Sequence, residues 1–146
     1  MNQEFAPKGM DILLVEDDAV DIEAVRRMLK KNNILNTIYE ARDGVEALEM
    51  LRERHAGANP LVPCVMLVDI NMPRMNGLQL LEAVREDEKL RHNVVFIITT
   101  SNREEDRAKA KSLSAAGYVT KDNLAQAAPA IAEYCNKNDE PDKSAQ

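Results

Sequence analysis

Short apolar runs alternate along the chain with longer segments in which apolar residues recur every three or four positions. The runs are Asp11–Val15 (DILLV), Thr37–Ala41 (TIYEA), Cys64–Ile70 (CVMLVDI), Val94–Thr99 (VVFIIT) and Gly117–Thr120 (GYVT). The first, third and fourth are nearly continuous in apolar residues, the pattern of strands covered on both faces. The intervening segments predict helices. Ala19–Lys31 places Ile22, Val25, Met28 and Leu29 on one stripe. Val45–Arg54 does the same with Val45, Leu48 and Leu51, and Asp43 is placed to cap it. Leu78, Leu81 and Val84 mark a third helix, and Arg103–Ser114 a fourth, heavily charged one. Asn123–Cys135 predicts a fifth, with Leu124, Ala127, Ala128, Ile131 and Tyr134 facing inward. Pro129 lies inside that pattern and should kink or shorten the helix.

Strand and helix thus alternate five times. Such alternation predicts an α/β fold, a flavodoxin-like (βα)5 arrangement with helices on both faces of a central parallel sheet of order 2-1-3-4-5. No repeat or second domain is visible. Residues 1–9 read as an N-terminal extension, 10–135 as the domain, and 136–146 (NKNDEPDKSAQ) as a polar, disordered tail. The 146 residues suffice for one substantial core.

Composition narrows the function. The formal charge of −6 argues against a nucleic-acid surface built on bulk electrostatics. No apolar run approaches the roughly 20 residues needed to span a bilayer, and MNQEFAPKGM lacks a signal-peptide core. A cytoplasmic location is therefore expected. Cys64 and Cys135 have no metal-site spacing and read as reduced thiols.

In a parallel sheet of this kind the working site lies beyond the carboxyl ends of the strands. Four such ends carry chemistry here: Glu16-Asp17-Asp18, Asp69, Thr99-Thr100-Ser101 and Lys121. Asp18 taken alone reads as a helix cap. Asp69 directly follows an apolar run, and a charge there needs a partner. Two negative charges about 4 Å apart repel by about 4 kcal/mol at an effective dielectric near 20. Gathered carboxylates therefore need cations. Lys121 supplies one, and an all-oxygen, half-open site suits Mg²⁺. A carboxylate beside a metal and an ammonium can attack phosphorus in line.

The pieces ILLVEDD (12–18), MLVDINMPRMNG (66–77), FIITTS (96–101) and GYVTK (117–121) resemble, in order and spacing, the receiver domain of two-component response regulators. The resemblance implies that Asp69 accepts a phosphoryl group from a sensor histidine kinase or histidine phosphotransfer protein. It implies Mg²⁺ as cofactor, held by Glu16, Asp17, Asp69 and the Asn71 backbone carbonyl. Thr99 and Lys121 would hold phosphoryl oxygens, and Thr99 and Tyr118 would form the switch. Such a protein is a phospho-acceptor switch that takes part in its own phosphorylation and dephosphorylation, and not an enzyme with a separate substrate. Gly77 closes the Met-Pro-Arg-Met-Asn turn and is expected to supply a backbone conformation closed to other residues.

Two features depart from the family pattern. Asp122 stands where proline usually follows the lysine, which unsettles the placement of Lys121. The segment His55–Pro63 makes a long connection before the third strand. That length, with the TTS run, resembles stand-alone receivers of the kind paired with bacterial phytochromes. The chain stops soon after the fifth helix, so output is expected through protein contact at the fourth helix, fifth strand and fifth helix. The contact would be with a downstream target or with a second copy in a phosphorylation-dependent homodimer, without membrane or direct nucleic-acid binding. The alternative is a pseudo-receiver that docks partners without taking phosphate. A metal-dependent phosphohydrolase would need a second acid where Asn71 stands. A flavodoxin would meet repulsion between Glu16-Asp17-Asp18 and the flavin phosphate.

Overall fold

A computed structural model describes residues 9–56 and 64–136; the N-terminal segment, the greater part of the His55–Pro63 connection and the tail from residue 137 lie outside the described residues. The elements follow in the order β1 (Asp11–Val15), α1 (Ala19–Lys31), β2 (Ile38–Ala41), α2 (Gly44–Ala56), β3 (Cys64–Val68), α3 (Gly77–Glu86), β4 (Val94–Thr99), α4 (Glu104–Ser112), β5 (Gly117–Thr120) and α5 (Ala128–Cys135). All five strands are parallel and their order is β2-β1-β3-β4-β5.

The two-residue period of a strand builds two cores from the same runs. Leu13, Val15, Met66, Val68, Val95 and Ile97 point to one face, where Leu48 and Leu51 of α2 and Leu80, Leu81 and Val84 of α3 cover them. Ile12, Leu14, Val65, Leu67, Phe96 and Ile98 point to the other, under Val25, Met28 and Leu29 of α1 and Ile131 and Cys135 of α5. This double coverage is why β1, β3 and β4 read as continuous apolar runs.

Several boundaries move from their predicted places. Thr37 flanks β2 and contributes only its carbonyl, which accepts from Ile12 N at 2.8 Å. β3 stops at Val68, before the acid. Leu80, absent from the predicted stripe, is fully buried, whereas Leu78 is half-buried at the core margin.

The fifth helix is shortened, as Pro129 predicts. It begins at Ala128 with the proline in its first turn, where the missing N–H is no loss. Residues Lys121–Ala127 form a 3-10 helix instead, broken at Asn123 (φ −126°). Proline cannot donate back to Ala125, so a regular α-helix cannot run through this stretch. Leu124 and Tyr134 are accordingly at the core margin rather than within it.

Both cysteines are buried and free, and burial pushes the Cys135 thiol up to about 11. Among the described residues no helix is long and apolar enough to cross a membrane.

Candidate metal and phosphoryl site

Strand register assembles the site. Val15 lies opposite Val68, so the residues that leave β1 and β3 emerge side by side. Asp69 N donates to Val15 O at 3.0 Å, and Glu16 N to Ala41 O at 2.9 Å. Thr99 pairs with Thr120, which places Lys121 one residue beyond the same edge.

Glu16, Asp17 and Asp69 bring carboxylate oxygens within 4.8 Å of one another. Glu16 and Asp69 are buried, at 3% and 5% exposure, while Asp17 is exposed. Lys121 Nζ reaches all the inner carboxylates: Asp21 Oδ2 at 2.6 Å, Glu16 Oε1 at 2.9 Å and Asp69 Oδ2 at 3.4 Å. The second oxygen of Asp69, Oδ1, is buried without a hydrogen-bond partner. A buried carboxylate oxygen in that condition is costly unless a cation meets it. Hard oxygen donors from Glu16, Asp17 and Asp69 suit a magnesium-like cation, so the donor set fits the cofactor read from the sequence.

Burial dominates the local acidities. Desolvation pushes Glu16 up to about 7 despite the Lys121 hydrogen bond that lowers it. Desolvation likewise raises Asp69, while Lys121, the Asn71 backbone and the Thr99 hydroxyl pull it back. Burial alone would lower Lys121, but the carboxylates of Asp21 and Glu16 hold it above the ordinary lysine range.

The loops are set by local bonds. Asp18 caps α1, its Oδ1 accepting from Val20 N at 2.9 Å and Asp21 N at 3.0 Å, while its own N–H donates to Glu16 Oε2 at 3.1 Å. Asp18 is thus a cap and lies outside the acidic trio. After Asp69 the chain closes through Gly77 N to Ile70 O at 3.0 Å, and Asn76 and Gln79 form a reciprocal capping box on α3. The expectation for Gly77 needs correction. Its φ is not positive; the left-handed residue of this loop is Arg74, at φ 64°. Gly77 is required for close approach instead, since a Cβ there would lie 2.2 Å from Asp69 O and 2.9 Å from Val68 Cγ1. Asn71 is exposed on the same loop, with its amide 3.4 Å from Thr100 Oγ1.

Thr99 is completely buried, and Ser101 N donates to its Oγ1 at 3.2 Å. Tyr118 is half-buried on neighbouring β5 and donates its hydroxyl to Ser101 O at 3.1 Å. The Arg107 guanidinium covers the Tyr118 ring at 4.5 Å from its centroid. Asp122 does not displace Lys121. It accepts from Thr120 Oγ1 at 2.6 Å in the first turn of the 3-10 helix, leaving the ammonium inside the site. Asp21 lay beyond the sequence reading, and so did the seat of Arg107 on the Tyr118 ring. Asp21 had a signal, because a cap at Asp18 places it in the first turn of α1, one turn after Asp17.

Comparison with known proteins agrees with this geometry. The family model of the response regulator receiver domain matches residues 12–131. Response regulator Rcp1 of Synechocystis is 32% identical over 121 residues, spanning 83% of this chain and 82% of that protein. The chemotaxis protein CheY of Pseudomonas aeruginosa is 36% identical over 117 residues, spanning 80% and 88%. Among solved structures, the Mn²⁺-bound form of Rcp1 superimposes with a TM-score of 0.73 at 26% identity, covering 91% of this chain and 99% of that one. The bacteriophytochrome response regulator RtBRR does so with 0.72 at 30% identity, covering 92% and 85%. A five-stranded parallel sheet of order 2-1-3-4-5, an acidic trio at its carboxyl edge and a family match over most of the chain lead to one conclusion: the protein belongs to the response regulator receiver domain family of two-component signalling systems.

Proposed function

We propose that the protein is a single-domain response regulator in which Asp69 accepts a phosphoryl group from a phosphohistidine. The observation that carries the reading is the buried Asp69 carboxylate, with one oxygen unpartnered, the other 3.4 Å from Lys121, and Glu16 and Asp17 close by. An Asp69 oxygen attacks phosphorus; the new O–P bond forms as the P–N bond breaks, and the imidazole leaves with the electron pair. Lys121 and Thr99 donate to the phosphoryl oxygens as negative charge arrives. Glu16, Asp17, Asp69 and the Asn71 carbonyl would hold Mg²⁺, which when bound neutralises charge on the transferring group. Water later cleaves the acyl phosphate and restores the carboxylate.

The switch follows from the bonds around Thr99. Drawing its hydroxyl toward Asp69 disturbs the bond from Ser101 N, and Ser101 O in turn holds the Tyr118 hydroxyl. Tyr118 then exchanges between two positions whose populations the phosphoryl group biases. The affected surface is α4, β5 and α5, which would contact a downstream target or a second copy of the chain. The lysine seated among the acids favours this reading over a docking module that takes no phosphate. The bond type offers a direct test. Label transferred from a kinase or small phosphodonor should be released by hydroxylamine, as an acyl phosphate is; hydroxylamine-stable label would refute the assignment to a carboxylate.

A further inference from the structure

Lys121 offers three N–H donors; its Nζ donates to Asp21 Oδ2 and forms ion pairs with Glu16 and Asp69. The shortest contact, 2.6 Å, goes to Asp21 and not to the acceptor Asp69, which is the most distant at 3.4 Å. Asp21 stands outside the acidic trio, in the first turn of α1. Its backbone N–H is fixed by the Asp18 cap at 3.0 Å, and α1 is anchored in the core by Val25, Met28 and Leu29. The Asp21 backbone is therefore fixed, and its carboxylate can follow the ammonium only as far as a short side chain turns. The contact is also partly shielded from solvent, with the Lys121 side chain 15% and the Asp21 side chain 33% exposed. Charge-assisted bonds are strong in such surroundings.

We propose that Asp21 is a positioning residue that competes with the phosphoryl group for Lys121 and so limits how tightly the site holds that group. The inference rests on the phospho-acceptor reading. Two effects act in the same direction. Closing the gap from Lys121 to a phosphoryl group on Asp69 draws Nζ away from its shortest partner. The Asp21 carboxylate is also one more negative charge beside an incoming dianion. A residue that merely held Lys121 ready for use would have the opposite effect, since its loss would misplace the ammonium and weaken phosphoryl binding. The sign of the effect separates the two roles.

The test is titration of the full chain with beryllofluoride, a phosphoryl mimic, in saturating Mg²⁺, followed by calorimetry. Asp21→Asn is isosteric at a partly exposed position, so the fold is not at stake. It should bind beryllofluoride about tenfold more tightly than wild type, the scale of one charge-assisted hydrogen bond. Asp21→Glu keeps the charge and should return to wild-type affinity. Unchanged or weaker binding by Asp21→Asn, or equal tightening by Asp21→Glu, overturns the proposal while leaving the phospho-acceptor reading intact. Failure of wild type to bind beryllofluoride overturns both.

Discussion

The Arg74 guanidinium grips the Asp43 carboxylate with two hydrogen bonds, Nε to Oδ2 at 2.9 Å and Nη2 to Oδ1 at 3.1 Å. The pair ties the loop after Asp69 to the start of α2, where Asp43 Oδ1 also accepts from Glu46 N at 2.9 Å. Gly44 N donates to Met75 O at 3.1 Å beside it. Arg74 holds a left-handed backbone, which a non-glycine residue adopts only when its surroundings enforce it. The loop that follows Asp69 is thus fastened from a neighbouring strand-end loop.

This pair has a pH signature. The Arg74 hydrogen bond holds the Asp43 carboxyl below its ordinary range. A depressed folded-state pKa means that the unfolded chain binds the proton first as acid is added. The stabilisation is therefore present above the ordinary carboxylate pKa of about 4 and is lost as pH falls below it. Asp43→Asn keeps the cap geometry and removes the charge. Urea unfolding should show wild type more stable than Asp43→Asn at neutral pH, with the difference shrinking as pH falls below about 4. A difference that does not vary with pH would show that the charge plays no part.

Gly77→Ala should be costly despite its small size. The added Cβ would sit 2.2 Å from Asp69 O and 2.8 Å from Asp69 C, and backbone atoms cannot swing aside. Overpacking of this kind costs about 1–3 kcal/mol, measured by chemical unfolding. The same variant should accept phosphoryl groups more slowly, because the displaced atoms belong to Asp69 itself. Wild-type stability would contradict the close approach.

Divalent metal should stabilise the folded chain. An ion that binds only the native site at a hundred times its dissociation constant contributes about 2.7 kcal/mol. Calorimetric melting should shift upward with Mg²⁺ and not with an equal ionic strength of Na⁺. Asp17 is exposed and contributes one of the three clustered carboxylates, so Asp17→Asn should fold normally and lose most of the shift. An undiminished shift in that variant would remove Asp17 from the donor set.

Much of this architecture is legible in the chain because burial on both faces leaves a simple trace. β1, β3 and β4 are nearly uninterrupted in apolar residues; the acids and the lysine stand directly after strands, and the Thr99 hydroxyl ends one. β2 is covered less fully, with only Ala41 buried, and its start is blurred accordingly. The segment after Lys121 keeps a helical apolar spacing, yet Pro129 withholds the N–H that would make it a continuous helix. Gly77 was recognisable as necessary, but its reason is the nearness of the Asp69 carbonyl, a tertiary fact. Arg74 to Asp43 and Asp21 to Lys121 join residues 31 and 100 positions apart. Such pairs depend on where long side chains reach once the sheet has formed, and no periodicity reports that.

Whether Asp69 receives the phosphoryl group is read from intact mass after incubation of wild type and Asp69→Asn with a small phosphodonor and Mg²⁺. Wild type should gain one phosphoryl group, and none when Mg²⁺ is chelated before the donor is added; Asp69→Asn should gain none. An unmodified wild type, or equal modification of Asp69→Asn, would refute the assignment.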